Sequence, residues 1–169
     1  MPSHTIRSIA PTTNLDKLQK VVQGIVGQTC WKAVLGYGEE LILHLGSRIP
    51  SVHPKLEGEL EGEWILGTCG TSWELLTPNE TIPSSLGKSR LEKAIPLMED
   101  GAVVSFLVTG DILTLAFDNG CQLRIIPTEE DANEPEVPYW ELFMPNTMFV
   151  EFRAGGVWFY QRSDQPISQ

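Results

Sequence analysis

The chain of 169 residues is 41% hydrophobic and 20% charged, and it carries a formal net charge of −10. That length suits one domain, which hides roughly 70% of the surface its unfolded chain would expose. Its twelve Lys and Arg are scattered, which argues against nucleic acid and anionic membranes as partners, because both demand a clustered basic face. No apolar run approaches the roughly 18 residues of a membrane-spanning helix. The opening Met1-Pro2-Ser3-His4-Thr5-Ile6-Arg7 lacks the basic-then-apolar order of a signal peptide. Three cysteines, Cys30, Cys69 and Cys121, with no Cys-x-x-Cys, point to a reduced, cytoplasmic protein.

In chain order, residues 1–13 are polar with two prolines and predict a loosely held arm. Asn14 is placed to cap a helix over 15–26, with Leu15, Leu18, Val22 and Ile25 at helical spacing and Gly27 at its stop. Strands are predicted over 29–35 and 40–45, joined by Gly36-Tyr37-Gly38, and again over 62–68 and 72–77. A second helix follows, with Ser89-Arg90-Leu91-Glu92 fitting a capping box and Pro96 ending or kinking it. Strands over 102–108 and 111–117 come next. Asn119-Gly120 then signals a type I′ hairpin into a strand over 121–126. An acidic segment, 128–136, reads as a mobile surface loop. Strands over 139–144, 147–153 and 157–161 follow, and 163–169 reads as a tail.

Two stretches echo each other. Ser72-Trp73-Glu74-Leu75-Leu76-Thr77-Pro78-Asn79 and Tyr139-Trp140-Glu141-Leu142-Phe143-Met144-Pro145-Asn146 share Trp-Glu-Leu and a Pro-Asn stop, 67 positions apart. Leu18, Val22 and Ile25 match Leu91, Ile95 and Met98, and Leu41, Leu43 and Leu45 match Leu113, Leu115 and Phe117. The colinear set predicts an α+β domain, mostly antiparallel β. It would be built from two helix-plus-β-meander repeats, 14–79 and 88–162, packed about a pseudo-two-fold within a single domain spanning 1–169.

Glu40-Leu41-Ile42-Leu43-His44-Leu45-Gly46 and Gly62-Glu63-Trp64-Ile65-Leu66, running on to Ser72-Trp73, resemble a family of small bacterial proteins of uncharacterised activity. The resemblance implies no assigned catalytic residue, so none is carried over.

The least ordinary local pattern is Leu56-Glu57-Gly58-Glu59-Leu60-Glu61-Gly62-Glu63-Trp64. If the chain is extended, Glu57, Glu59, Glu61 and Glu63 form a row on one face while Leu56, Leu60 and Trp64 point to the core. Such a row can dock a basic partner or a hard cation such as calcium, and it serves equally as a charged edge that resists sheet-to-sheet aggregation. The interleaved glycines argue against a tight metal cage. Glu129, Glu130 and Asp131 head a second acidic group, continued by Glu134 and Glu136. It lacks the spacing of a calcium loop but could help to steer a cationic partner.

His44 falls on the face opposite Leu41, Leu43 and Leu45, and a metal site would need two further ligands beside it. Cys69 would act as a nucleophile only if His44 or His53 reached it; otherwise it is a small buried hydrophobe. Trp31 and Trp64, with His44 and Cys69, could instead line a ligand pocket between the sheets, although core packing explains most tryptophans. Phe149, Phe152, Trp158, Phe159 and Tyr160 place aromatics on both faces of the 147–161 hairpin, so an uncovered face there would favour a homodimer. There is no dinucleotide or phosphate loop, no His-Glu-x-x-His and no Gly-x-Ser-x-Gly, so no cofactor or metal is expected. The leading expectation is a non-catalytic interaction protein with an acidic surface for a basic protein partner. The alternative is a small-molecule binder or enzyme with a Trp-lined pocket.

Overall fold

The computed structural model describes residues 8–51 and 58–163. The described chain is α+β, with antiparallel strands in two sheets and few helices. The strands are β1 (Ile9–Thr12), β2 (Cys30–Leu35), β3 (Leu41–Pro50), β4 (Leu60–Gly67), β5 (Trp73–Leu76), β6 (Thr81–Pro83), β7 (Val103–Thr109), β8 (Ile112–Phe117), β9 (Gln122–Ile125), β10 (Trp140–Met144), β11 (Met148–Arg153) and β12 (Val157–Arg162). The helices are α1 (Leu15–Val22), α2 (Lys88–Ala94) and α3 (Glu129–Ala132). One sheet runs β1-β12-β11-β10-β4-β3-β2 and the other β6-β5-β9-β8-β7.

Period-two patterning sets which face each strand buries. Leu41, Leu43 and Leu45 of β3, with Trp64 and Leu66 of β4, face Leu113, Leu115, Leu123 and Ile125 of the other sheet's strands in one continuous core. Trp140 lies at its centre, stacked on Phe152 with ring centroids 5.2 Å apart and meeting Phe106 of the second sheet edge-on at 5.4 Å. A ring of that size removes roughly 150–250 Å² from water, so this contact contributes to the joint between the sheets.

The same order of elements occurs twice. A helix and a short 3₁₀ turn (Gln23–Ile25 or Ile95–Met98) lead into a three-stranded meander, then into a strand that begins with tryptophan. The meander β2-β3-β4 belongs to the larger sheet and β7-β8-β9 to the smaller. Each Trp-led strand leaves its own meander for the other sheet: β5 pairs with β9, and β10 with β4. The registers match position by position. Leu43 opposes Ala33 and Leu66, and Leu115 opposes Phe106 and Leu123. Both first hairpins carry an irregularity at the same place, between Cys30 and Lys32 and between Val103 and Ser105. The repeat pattern in the sequence does not disclose this exchange of strands.

Several local expectations are corrected. The N-terminal arm is not wholly loose, because Ile9–Thr12 pairs with β12 and Trp158 Nε1 donates to Asn14 O at 3.1 Å. Asn14 caps α1 as expected, accepting from Lys17 N at 3.0 Å. The Ser89 capping box does not form: α2 starts at Lys88 with Gly87 as its cap, which puts Ser89 inside the first turn. At 119–120 only Gly120 has positive φ, so the turn is not type I′. The acidic loop includes a short helix that the sequence reading did not predict, α3, capped reciprocally by Thr128 and Asp131.

The sheet edges are closed by side chains and prolines. Gln19 mimics a strand against the edge of β7, its amide donating to Phe106 O at 2.7 Å and accepting from Val108 N at 3.2 Å. Glu99 accepts from Ala33 N on the edge strand β2 at 3.1 Å, while Pro11 lies within β1 and Pro83 ends β6.

Two glycines on β4 differ sharply in their surroundings. A Cβ on Gly62 would lie 2.6 Å from Leu45 N and 2.7 Å from Trp64 O, whereas one on Gly67 would meet nothing within 4 Å. Gly62→Ala should therefore lower stability by about 1–3 kcal/mol, and Gly67→Ala should stay within about 0.5 kcal/mol of the parent. Urea denaturation of the two variants measures both, and equal costs would contradict this packing.

Candidate functional site

The glutamate row is only partly assembled. Glu61 and Glu63 lie half-buried on the outer face of β4, alternating with buried Gly62 and Trp64. Glu59 is exposed and precedes the strand, and Glu57 lies outside the described residues. Leu60, expected in the core, is 46% exposed. It opposes Pro50, beyond the irregularity between Leu45 and Arg48, where β3 is exposed and the pair runs past the sandwich interior.

The second acidic group is drawn into a cleft. The connection from β4 to β5 (68–72) and the one from β9 to β10 (126–139) each pass from one sheet to the other, and they are bonded where they meet. Thr71 Oγ1 donates to Tyr139 O at 2.7 Å, Ile126 N donates to Ser72 O at 2.9 Å, and Ser72 N reaches Asp131 Oδ2 at 3.5 Å. Asp131 also accepts from Thr128 N at 2.7 Å, which holds its carboxylate at the start of α3. Between these connections lies an open cleft of about 390 Å³, whose polar lining residues include Glu130, Asp131, Glu134, Thr71, Ser72 and Thr128. Among the described residues no Lys or Arg lines it. Glu129 is not part of the wall. Burial, followed by Asp111 and Asp131, pushes the Tyr139 hydroxyl pKa up.

A smaller groove of about 180 Å³ lies beside it on the outer face of the larger sheet, over Gly67. Ile42, Ile65 and Phe143 give it apolar walls, and Glu40, Cys69 and Glu141 give it polar ones. Glu141 directly opposes Glu151 on β11, an arrangement that is unfavourable for two charged carboxylates. Glu151 is nearly buried and is paired with Arg153 Nε. The Glu141 carboxyl is held above the usual carboxylate range, first by burial and then by Glu151. Neither glutamate stood out by spacing in the sequence. The only pointer was that Glu141 occupies the place of Glu74 in the echoed stretch.

The residues of the pocket alternative are dispersed. Trp64 is buried in the core, while Trp31 and His44 sit together on the outer face with ring centroids 5.5 Å apart and the Arg48 guanidinium 4.7 Å over the Trp31 ring. Neither cavity is lined by a tryptophan. His44 Nδ1 accepts from Gly62 N at 3.0 Å, and burial, then Lys32, lowers its pKa. The Cys69 thiol is directed at Gly67 O at 3.8 Å. Burial first, then Glu141, Glu40 and Glu151, pushes it strongly upward, away from a reactive thiolate. His53 lies outside the described residues. No group of three or more His, Cys, Asp or Glu among the described residues is arranged to hold a metal ion. In the final hairpin Phe152, Trp158 and Tyr160 are buried, while Phe149 and Phe159 face outward beside Phe143.

The folded chain holds the Glu141 proton to a higher pH than the unfolded chain, whose reference value is 4.5. The resulting stabilisation is fully present below that value and is lost as pH rises through the raised folded value. Glu141→Gln, which keeps the shape without the charge, should flatten this fall in stability. Urea denaturation of both proteins across this pH range tests it, and an unchanged slope in the variant would contradict the assignment.

Comparison with protein-family models, with curated proteins and with solved structures finds no match to this chain.

Proposed function

We propose that the chain is a non-catalytic interaction module of a reducing, cytoplasmic compartment that binds a basic protein partner through the cleft between residues 69–72 and 128–139. The observation that carries this reading is the cleft's lining, with three carboxylates and, among the described residues, no basic side chain. Carboxylates converging on a concave site raise the local concentration of cations and favour ammonium and guanidinium groups, and hydroxyls beside them accept further hydrogen bonds. The absence of a paired nucleophile and base in the arrangement of Cys69 and His44 favours binding over catalysis. The half-buried Glu61 and Glu63 lie on the same strand as Gly67 but nearer its other end, where they add long-range attraction.

On this reading residues 14–79 and 88–162 are two copies of one unit, joined about an approximate two-fold. The matched registers and the reciprocal exchange of β5 and β10 support it. The outward strip of Phe143, Phe149 and Phe159 supports a second reading, a homodimer through the 147–161 hairpin, since Phe143 is 38% exposed.

A lysine- and arginine-rich peptide titrated into the protein tests the cleft. Glu130→Gln with Glu134→Gln should weaken its binding about tenfold at low salt, and added salt should weaken the parent's binding as screening grows. Binding indifferent to both changes would refute the reading. Sedimentation of the parent and of Phe149→Glu tests the dimer, which predicts a dimer for the first and a monomer for the second. A monomeric parent refutes it.

A further inference from the structure

The two Trp-Glu-Leu strands occupy corresponding places in the two sheets, and their glutamates have different neighbours. Glu74 lies between Arg124 on β9 and Pro83 on β6. Arg124 Nη1 stands 3.1 Å from Glu74 Oε1, so that carboxylate is met by a guanidinium from the adjacent strand. Glu141 lies between Gly67 on β4 and Glu151 on β11. Where the smaller sheet supplies an arginine, the larger has a glycine. Where the smaller has a neutral proline, the larger has a second carboxylate.

The space that this leaves is the groove over Gly67. A Cβ at Gly67 would meet nothing within 4 Å, and its backbone is not in the left-handed region, so the site has room for a side chain that the sequence does not provide. The groove's volume, about 180 Å³, and its walls of Ile42, Ile65 and Phe143 suit an alkyl stem ending in a planar cation. Arg153, the cation next to the carboxylate pair, is engaged with Glu151 and sits over the Phe159 ring, 5.6 Å from its centroid. Among the described residues the titratable groups facing Glu141 are Glu40, Cys69 and Glu151, and Glu151 is paired with Arg153.

We infer that the groove over Gly67 is a receptor for the guanidinium group of an arginine side chain on a partner protein, which takes the place that Arg124 holds in the other sheet. The site is separate from the acidic cleft, with which it shares only the Cys69 turn. It rests on the register of β4, β10 and β11 and not on the cleft. A bound guanidinium would give Glu141 a charge-assisted partner and relieve its opposition to Glu151. Protonation of Glu141, which its environment favours, would weaken that binding.

The probe is Nα-acetyl-arginine methylamide, an arginine side chain between neutral ends, titrated into isotope-labelled protein at pH 7 alongside its lysine and citrulline counterparts. Saturable amide shifts at Gly67, Cys69 and Phe143 are expected for the arginine compound, weaker ones for lysine and none for citrulline. Glu141→Gln should lose affinity about thirtyfold or more, the lower end of the range for removing one partner of a charged pair. Gly67→Arg supplies the guanidinium from the chain itself, so it should abolish probe binding and raise Tm by about 2 °C or more. The absence of saturable shifts at the groove, equal response to citrulline, or unchanged binding in Glu141→Gln overturns the inference. So does a Gly67→Arg protein that is less stable than the parent while Gly67→Ala is not. Shifts confined to the amides of residues 128–137 would favour the cleft and refute the groove.

Discussion

The structure depends on a short backbone ladder where the two halves of the chain cross. Cys30 N donates to Gly101 O and Val103 N to Gln28 O, both at 2.9 Å, while Gly27 N donates to Val103 O and Asp100 N to Cys30 O, both at 2.7 Å. The four bonds form two reciprocal pairs around the bridge between Thr29 and Ala102. At the same point each half turns out of its helical segment through a positive φ, +93° at Gly27 and +70° at Asp100. Asp tolerates that region better than most side chains. The ladder ties the first strand of one meander, β2, to the first strand of the other, β7, and the meanders grow outward from it.

Crossing at one side obliges a second crossing at the other. Each meander ends in a strand whose open edge is filled by the other half's Trp-led strand, so neither half completes a sheet alone. The connections that carry β5 and β10 across meet near Thr71 and Tyr139, and both cavities lie there. Strand exchange therefore places polar side chains from the two halves, Ser72 and Cys69 from one and Asp131 and Glu141 from the other, within one short stretch of surface. It also makes the contact of Trp140 with Phe106, two residues of the same half, a contact between the sheets.

Much of this fold was legible in the sequence because it rests on periodicity. The alternation of Leu41, Leu43 and Leu45, the helical spacing of Leu18, Val22 and Ile25, and the paired Trp-Glu-Leu stretches each report a local preference that the packed structure keeps. Long-range pairing was not legible. Nothing near Trp73 states that its strand lies beside β9 instead of β4, since either neighbour satisfies the same alternation. The cap of α2 was misplaced because Ser89 fits a capping box by spacing alone, whereas the φ of +102° at Gly87 decides where the helix starts. At the candidate sites, Glu130 and Asp131 were visible as an acidic run, but the turn at Cys69 that makes them one wall of a cleft was not. Glu141 is marked in the sequence only by the echo of Glu74, because its character comes from Glu151 and Gly67 on neighbouring strands and not from its neighbours in the chain.

Native-state hydrogen exchange tests the crossing ladder most directly. If the ladder holds the two sheets as one cooperative unit, the amides of Cys30 and Val103 should exchange only through global unfolding, with the same free energy as Leu43 in one sheet and Leu115 in the other. Exchange of Cys30 and Val103 through local opening, or separate unfolding free energies for the two sheets, would contradict it.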